Sequence, residues 1–399
     1  MINKMRNLSV YVHFPFCLRK CRYCDFLSRA GAEEEWDFYI KKLCEEIRNE
    51  ALQYRQYEVV TVFLGGGTPS LLSGKQMEKI MSCLHTYYKI HGDAEITVEM
   101  NPGTVTAEKL AAYREMGVNR LSLGLQSADN EQLSLLGRIH TWETFLESYE
   151  LCRGAGFSNL NVDIMSALPG QTYASYKRTL EKVSALQPEH ISAYSLIIEK
   201  GTPFYEIYDS GQESVSKKMA DSIAGTAENW KELPDEETDR AMYEETKRFL
   251  AERGYTRYEI SNYARKEKAC VHNCVYWTRE NYVGFGLGAS SMVENVRWSN
   301  VRTFSDYYSL PAGEKKENVH TLSVEEQMEE MMYLGLRMME GVSGEKFAKT
   351  FGCSMEKIYG EVIQRHRALG LLEKNDDWIR LTDRGIDVSN YVMADFLLA

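Results

Sequence analysis

Six times between residues 8 and 198 a short apolar or β-branched run is followed by a glycine or polar turn and then by a longer stretch with helical spacing. The strand candidates are residues 9–13, 59–64, 95–99, 120–125, 161–164 and 191–196. In the first helical stretch, residues 35–54, Trp36, Tyr39, Ile40, Leu43 and Ile47 recur at helical intervals and mark one apolar face. Connections of this length cannot be hairpins, so consecutive strands must lie parallel, each joined to the next by a helix crossing one face of the sheet. The pattern predicts an α/β fold: a parallel, closed or nearly closed TIM-like barrel with six strands instead of eight.

The rest of the 399-residue chain reads differently. Three segments are expected: a barrel over residues 1–200, an appended α+β region over residues 201–319 and a helical module over residues 320–399. The second opens with a polar stretch at residues 210–237, continues through a helix near residues 236–254 and ends in aromatic, glycine-rich loops. Within it Gly284-Phe-Gly286-Leu-Gly288 imitates a dinucleotide fingerprint but lacks the βαβ unit and distant acid of that motif, and reads as a tight loop. The third segment pairs two helices with a hairpin turning at Asp376 and Asp377, a winged-helix-like pattern. With nine Lys and Arg against fourteen Asp and Glu over residues 320–399, such a module would repel DNA. The whole chain carries a formal charge of −11, which argues against nucleic-acid partners. No run approaches the ~20 apolar residues of a membrane span, so stable insertion is not expected and only peripheral contact is left open. Nine cysteines in a chain with no recognisable leader point to a reducing, cytoplasmic setting.

Cys17, Cys21 and Cys24 follow the first strand directly, which puts three thiols on a loop at the strand's carboxyl end, where barrel chemistry is built. Three thiolates on a 4Fe-4S cube leave one iron open to a chelating ligand. The competing reading is a zinc knuckle completed by a distant fourth ligand. His13, Phe14, Phe16 and Tyr23 would supply an apolar wall suited to a low-potential cluster. Further along, Gly65, Gly66, Gly67 and Thr68 close the second strand, Glu99 and Asn101 the third, Gln126 the fourth and Asp163 the fifth. Ligand-type residues at successive strand ends are the pattern of a barrel active site. Cys44, Cys83, Cys152 and Cys353 sit in apolar helical surroundings and read as small buried residues.

The C-x3-C-x2-C spacing with Tyr23 before the last cysteine, on the first loop of a βα array, resembles the signature of the radical S-adenosylmethionine (SAM) superfamily, and so implies a radical SAM barrel. The resemblance implies that SAM's amino and carboxylate groups chelate the open iron and that one electron from the cluster cleaves SAM to methionine and a 5'-deoxyadenosyl radical. It places Gly66, Gly67 and Thr68 against SAM's amino group and Tyr11, Tyr23, Glu99, Gln126, Arg138 and Asp163 at other SAM-contacting positions. The segments around Cys21 to Phe26, Gly65 to Leu72, Glu99 to Gly103, Gly137 to His140, Tyr258 to Tyr263 and Cys270 to Trp277 are most similar to the HemW family of haem chaperones. The sister family is the oxygen-independent coproporphyrinogen III oxidases. Those oxidases carry a fourth cysteine where this chain has Phe26, and a long segment before the cluster that helps bind a second SAM, where only sixteen residues precede Cys17. The resemblance therefore implies haem binding and delivery to an acceptor protein, with electrons from a flavodoxin- or ferredoxin-like reductant, and it makes oxidative decarboxylation the alternative activity. The His272-Asn273-x-x-Tyr276-Trp277 element is similar to one associated with haem in the chaperones. His272 is the candidate axial ligand, while Cys270 and Cys274 leave a small metal site or a structural histidine as other readings.

Overall fold

The computed structural model describes residues 5–209 and 230–398; most of the polar stretch expected at residues 210–237 lies outside them. Six parallel strands form the centre: β1 (Arg6–Phe14), β2 (Tyr57–Gly66), β3 (Ile90–Met100), β4 (Arg120–Gln126), β5 (Leu160–Ser166) and β6 (His190–Ser195), paired in chain order. Helices α1 (Glu33–Glu50), α2 (Gly74–Tyr87), α3 (Ala107–Glu115), α4 (Asn130–Leu135), α5 (Trp142–Gly154) and α6 (Tyr173–Ala185) make the crossovers. This is the α/β barrel arrangement expected from the repeat. Alternation along each strand sends Val62 and Leu64 outward into the helix layer, where they are buried with Ile40 and Leu43 of α1, and sends Thr61, Phe63 and Gly65 inward.

The strands do not close on themselves. Residues 256–259 and 262–264 extend the sheet antiparallel beyond β6, and residues 282–285 join the free edge of β1 in parallel, followed by three antiparallel strands ending at Thr321. One twelve-stranded sheet thus runs through both the barrel and the segment beyond residue 201, and Phe249, Tyr263, Phe285 and Tyr307 share a core with the barrel helices. The described C-terminal residues build their own core around Met332, Phe347, Tyr359 and Phe396, beside a three-stranded sheet of residues 342–343, 372–375 and 378–381. Its hairpin turns at Asp376 and Asp377 as the sequence indicated, with Asp376 in the left-handed region.

Several local expectations shift. The first helix starts two residues early and ends as a 3-10 turn at Ala51–Tyr54. Asp163 stands in the middle of β5, which continues to Ser166. Phe14 and Phe16 do not face the cysteines: both are buried against Trp36 and Tyr39 on the helix side; alternation at the end of β1 turns Phe14 away from the barrel interior, and Phe16 follows in a short strand paired with residues 29–30. Cys152 is buried as expected, but Cys44, Cys83 and Cys353 are only half-buried.

Candidate functional site

At the carboxyl ends of the strands, the loop after β1 brings Cys17, Cys21 and Cys24 to one opening together with Tyr23, Gly66, Gly67, Glu99, Gln126, Arg138 and Asp163. The loop is fastened from several sides. Arg19 donates to the Gly137 carbonyl at 2.7 and 3.1 Å, and Arg22 to that of Leu135 at 2.9 Å. Gly67 and Thr68 donate their N–H groups to the Phe14 and Phe16 carbonyls at 2.8 Å each. This crossing is why Gly67 has no side chain: a Cβ there would lie 2.5 Å from the Phe16 carbonyl oxygen and 2.7 Å from that of Phe14. With the Gly66 N–H donating to Glu99 Oε2 at 3.0 Å, the turn has spent its amides. It offers a ligand carbonyl acceptors, which suit an ammonium better than an anion.

Each thiol has a distinct environment. Thr68 Oγ1 donates to Cys17 Sγ at 3.4 Å, and Arg138 Nη1 to Cys21 Sγ at 3.6 Å. Burial pushes the Cys24 thiol up to about 11 and raises that of Cys17, so these two thiols are protonated when bare and metal binding must release their protons. Three sulfurs at one opening, two of them met by a hydroxyl and a guanidinium donor, fit a polynuclear cluster whose thiolates bind different irons.

Around this opening stands a ring of polar side chains. Arg138 bonds Asn101 Oδ1 at 2.8 Å and the Gly124 carbonyl, and Asn101 in turn donates to Thr68 Oγ1 at 2.8 Å. Burial of the Arg138 guanidinium lowers its pKa, but Tyr23 and Cys21 more than offset this and hold it firmly charged. Glu99 is pushed up to about 7, first by burial and then by the neighbouring Asp163 carboxylate. Burial also raises Asp163, against hydrogen bonds from Ser192 and Asn161, the latter at 2.7 Å. Gln126 accepts from Tyr194 at 3.1 Å and sits at φ 74°, a strained conformation for a side-chain-bearing residue where β4 meets its loop. Two paired acids and one firmly charged guanidinium can hold the two ends of a zwitterion. Ser122 and Tyr194 escaped the sequence-based site. Asn101 was visible as a strand end, but nothing in the sequence placed Tyr194 over Gln126.

Two expected residues are elsewhere. Tyr11 lies one layer down inside the barrel, its hydroxyl 2.9 Å from His13 Nδ1 and its ring beside Phe63. His272 is at the opposite end, on a short helix, Val271–Trp277, that plugs the barrel beneath the strands. Glu95 holds that helix by accepting from the Val271 and His272 N–H groups at 3.1 and 3.0 Å. The His272 ring stacks on Phe63, with Nδ1 2.7 Å from Thr61 Oγ1 and Nε2 2.9 Å from the Tyr276 hydroxyl. Both nitrogens are engaged and the side chain is buried, so an axial bond to iron requires Tyr276 to turn aside. Burial, then the Arg120 charge, lower His272 to about 3 and keep it neutral. A second polar chain links the two ends: Asn161 to His190 at 2.6 Å, and His190 to the Tyr258 hydroxyl at 2.8 Å.

Residues 11–183 match the model of the radical SAM superfamily, and residues 322–388 that of the HemN C-terminal domain. The chain is 36% identical over 390 residues to the haem chaperone HemW of Lactococcus lactis, covering 98% of this chain and 97% of that protein. It is 35% identical to HemW of Bacillus subtilis, covering 98% and 99%, and 32% identical to HemW of Escherichia coli, covering 99% of each. Among solved structures the coproporphyrinogen III oxidase HemN of Escherichia coli, a radical SAM enzyme, superposes with a TM-score of 0.82 over 98% of this chain and 90% of its own, at 22% identity. That likeness shows the fold alone.

Proposed function

Since the chain belongs to the HemW family of haem chaperones within the radical SAM superfamily, we propose that it binds haem and passes it to an acceptor protein, using a 4Fe-4S cluster and SAM. The observation that carries this reading is full-length relationship to HemW proteins on a chain whose cysteine loop faces a ring of zwitterion-holding side chains. We assign Cys17, Cys21 and Cys24 to the cluster. A 4Fe-4S cluster supplies an open iron for chelation and a low-potential electron. Gly66, Gly67 and Thr68 turn acceptors toward SAM's ammonium, Arg138 takes its carboxylate, and Tyr23, Glu99, Gln126 and Asp163 line the remainder, with Tyr11 supporting them from below. Haem is assigned to the Cys270–Trp277 element, with His272 as its ligand if Tyr276 yields Nε2. Residues 1–200, 201–319 and 320–399 then divide the work into cluster and SAM binding, haem binding, and contact with the acceptor. A flavodoxin- or ferredoxin-like reductant and a cytoplasmic location complete the reading. No helix among the described residues is long and apolar enough to cross a membrane.

Coproporphyrinogen oxidation is the second reading, favoured by the shared HemN fold. Against it stands Phe26, which occupies the position of the oxidases' extra cysteine and is 60% exposed at the rim of the opening. A phenyl ring there can neither donate a proton nor carry a radical. The deciding experiment is anaerobic reconstitution followed, on one sample, by haem titration and a coproporphyrinogen turnover assay. Haem binding without protoporphyrinogen formation is expected; turnover with SAM and reductant would replace the chaperone reading with the oxidase. In His272→Ala, loss or shift of the haem Soret band supports the ligand assignment, and an unaltered band moves it away from His272.

A further inference from the structure

On the outer face of the barrel, away from the cluster, α1 and α2 bring two thiols together. Cys83 Sγ donates to the Cys44 carbonyl at 3.4 Å and Cys44 Sγ to the Lys79 carbonyl at 3.7 Å. Both are half-buried and line an open groove of about 730 Å³ whose edge carries Lys41, Arg48 and Lys79 beside Asp37 and Glu45, with Lys79 paired to Asp37 at 3.1 Å. The thiols are not equivalent. Once Cys83 is ionised, a hydrogen bond turned to it from the Cys44 thiol, together with the Arg48 charge, lowers the Cys83 pKa against the effect of burial, while the same contact and burial raise that of Cys44. One sulfur is thus disposed to attack and its neighbour to resolve.

We infer that Cys44 and Cys83 form a dithiol centre, separate from the cluster cysteines, that exchanges with a small anionic disulfide and closes to an intramolecular bond between α1 and α2. The groove gives a small molecule access to both sulfurs, and Arg48 and Lys41 complement carboxylates on a peptide-like thiol such as glutathione. The Cys83 thiolate attacks one sulfur of the disulfide, forming a mixed disulfide and releasing one small thiolate. Cys44, deprotonated, attacks Cys83 Sγ and releases the second. The protein pair is oxidised by two electrons, the small disulfide is reduced to two thiols, and the two protein protons end on those thiols. The bond would fasten α1, whose Tyr39 donates to the His13 carbonyl at 2.7 Å just before the cysteine loop.

The test uses the full-length, cluster-loaded protein, held anaerobically, treated with glutathione disulfide, alkylated and digested with trypsin without reductant. Trypsin separates the two cysteines into peptides 43–48 and 80–89. They should be recovered joined, two hydrogens lighter than their sum, from protein whose cluster absorption is retained. Cys44→Ser should trap glutathione on Cys83, and Cys83→Ser should leave Cys44 alkylated. Recovery of both wild-type peptides alkylated to the untreated level would overturn the inference, as would joining confined to protein that has lost its cluster. Glutathione trapped on Cys44 in Cys83→Ser would overturn the assigned order of attack.

Discussion

Replacing Glu99 by glutamine should stabilise the SAM-free protein while weakening its grip on SAM. In the unfolded chain this carboxyl ionises near 4.5, and in the barrel mouth near 7, because burial and then Asp163 oppose its charge. Below the lower value both states are protonated and the substitution changes little. Between the two, the unfolded chain sheds a proton that the folded chain keeps, so unfolding gains ground as pH rises; above the upper value the penalty is complete. At about 1.4 kcal/mol per pH unit, the interval from 4.5 to about 7 gives a ceiling of roughly 3.5 kcal/mol. Glu99 keeps some contact with the opening, so screening should leave about 2 kcal/mol. Glutamine preserves the shape and can still accept from the Gly66 N–H. Anaerobic urea unfolding of both proteins without SAM, from about pH 5 to about pH 8, should show the variant's advantage growing with pH. Calorimetry should show SAM affinity lower by about 1.5 to 3 kcal/mol, roughly tenfold to a hundredfold. A stability difference flat across pH, or unchanged SAM affinity, would refute the electrostatic account of the site.

Alanine at Cys17, Cys21 or Cys24 should each abolish the cluster, read as iron content and visible absorption after anaerobic reconstitution; full iron in any single variant removes that cysteine from the ligand set. Gly67→Ala forces a Cβ into the Phe14 and Phe16 carbonyls, and a drop in cluster occupancy together with melting temperature is expected, whereas wild-type values in both would show that the loop crossing is not tight. Glu95→Ala strips the acceptor from two helix amides and should cost about 3 kcal/mol in urea unfolding, and a change below about 0.5 kcal/mol would mean that the plug is held by its other contacts.

The spacing of apolar residues determined the six-stranded parallel barrel, because only long crossovers fit between those runs, and the position of Cys17, Cys21 and Cys24 after the first strand determined which end is the site. Glu99 and Gln126 were legible for the same reason: strand ends at one barrel face must meet; Arg138, in the loop after α4, came from the family resemblance. The other relations depend on how distant segments pack. Nothing local to residues 282–285 says that they pair with β1, since strand partners are chosen by the whole sheet's burial. Alternation at the end of β1 put Phe14 into the helix layer, and Asp163 proved to be mid-strand because β5 runs on to Ser166. His272 was legible as a motif but not as a plug residue with both ring nitrogens taken, since Thr61 lies 211 positions away in sequence. The Cys44 and Cys83 thiols likewise became a pair only when α1 and α2 packed side by side. Sequence periodicity specifies which face a residue occupies; which residue it meets there is decided by the packing of elements against each other.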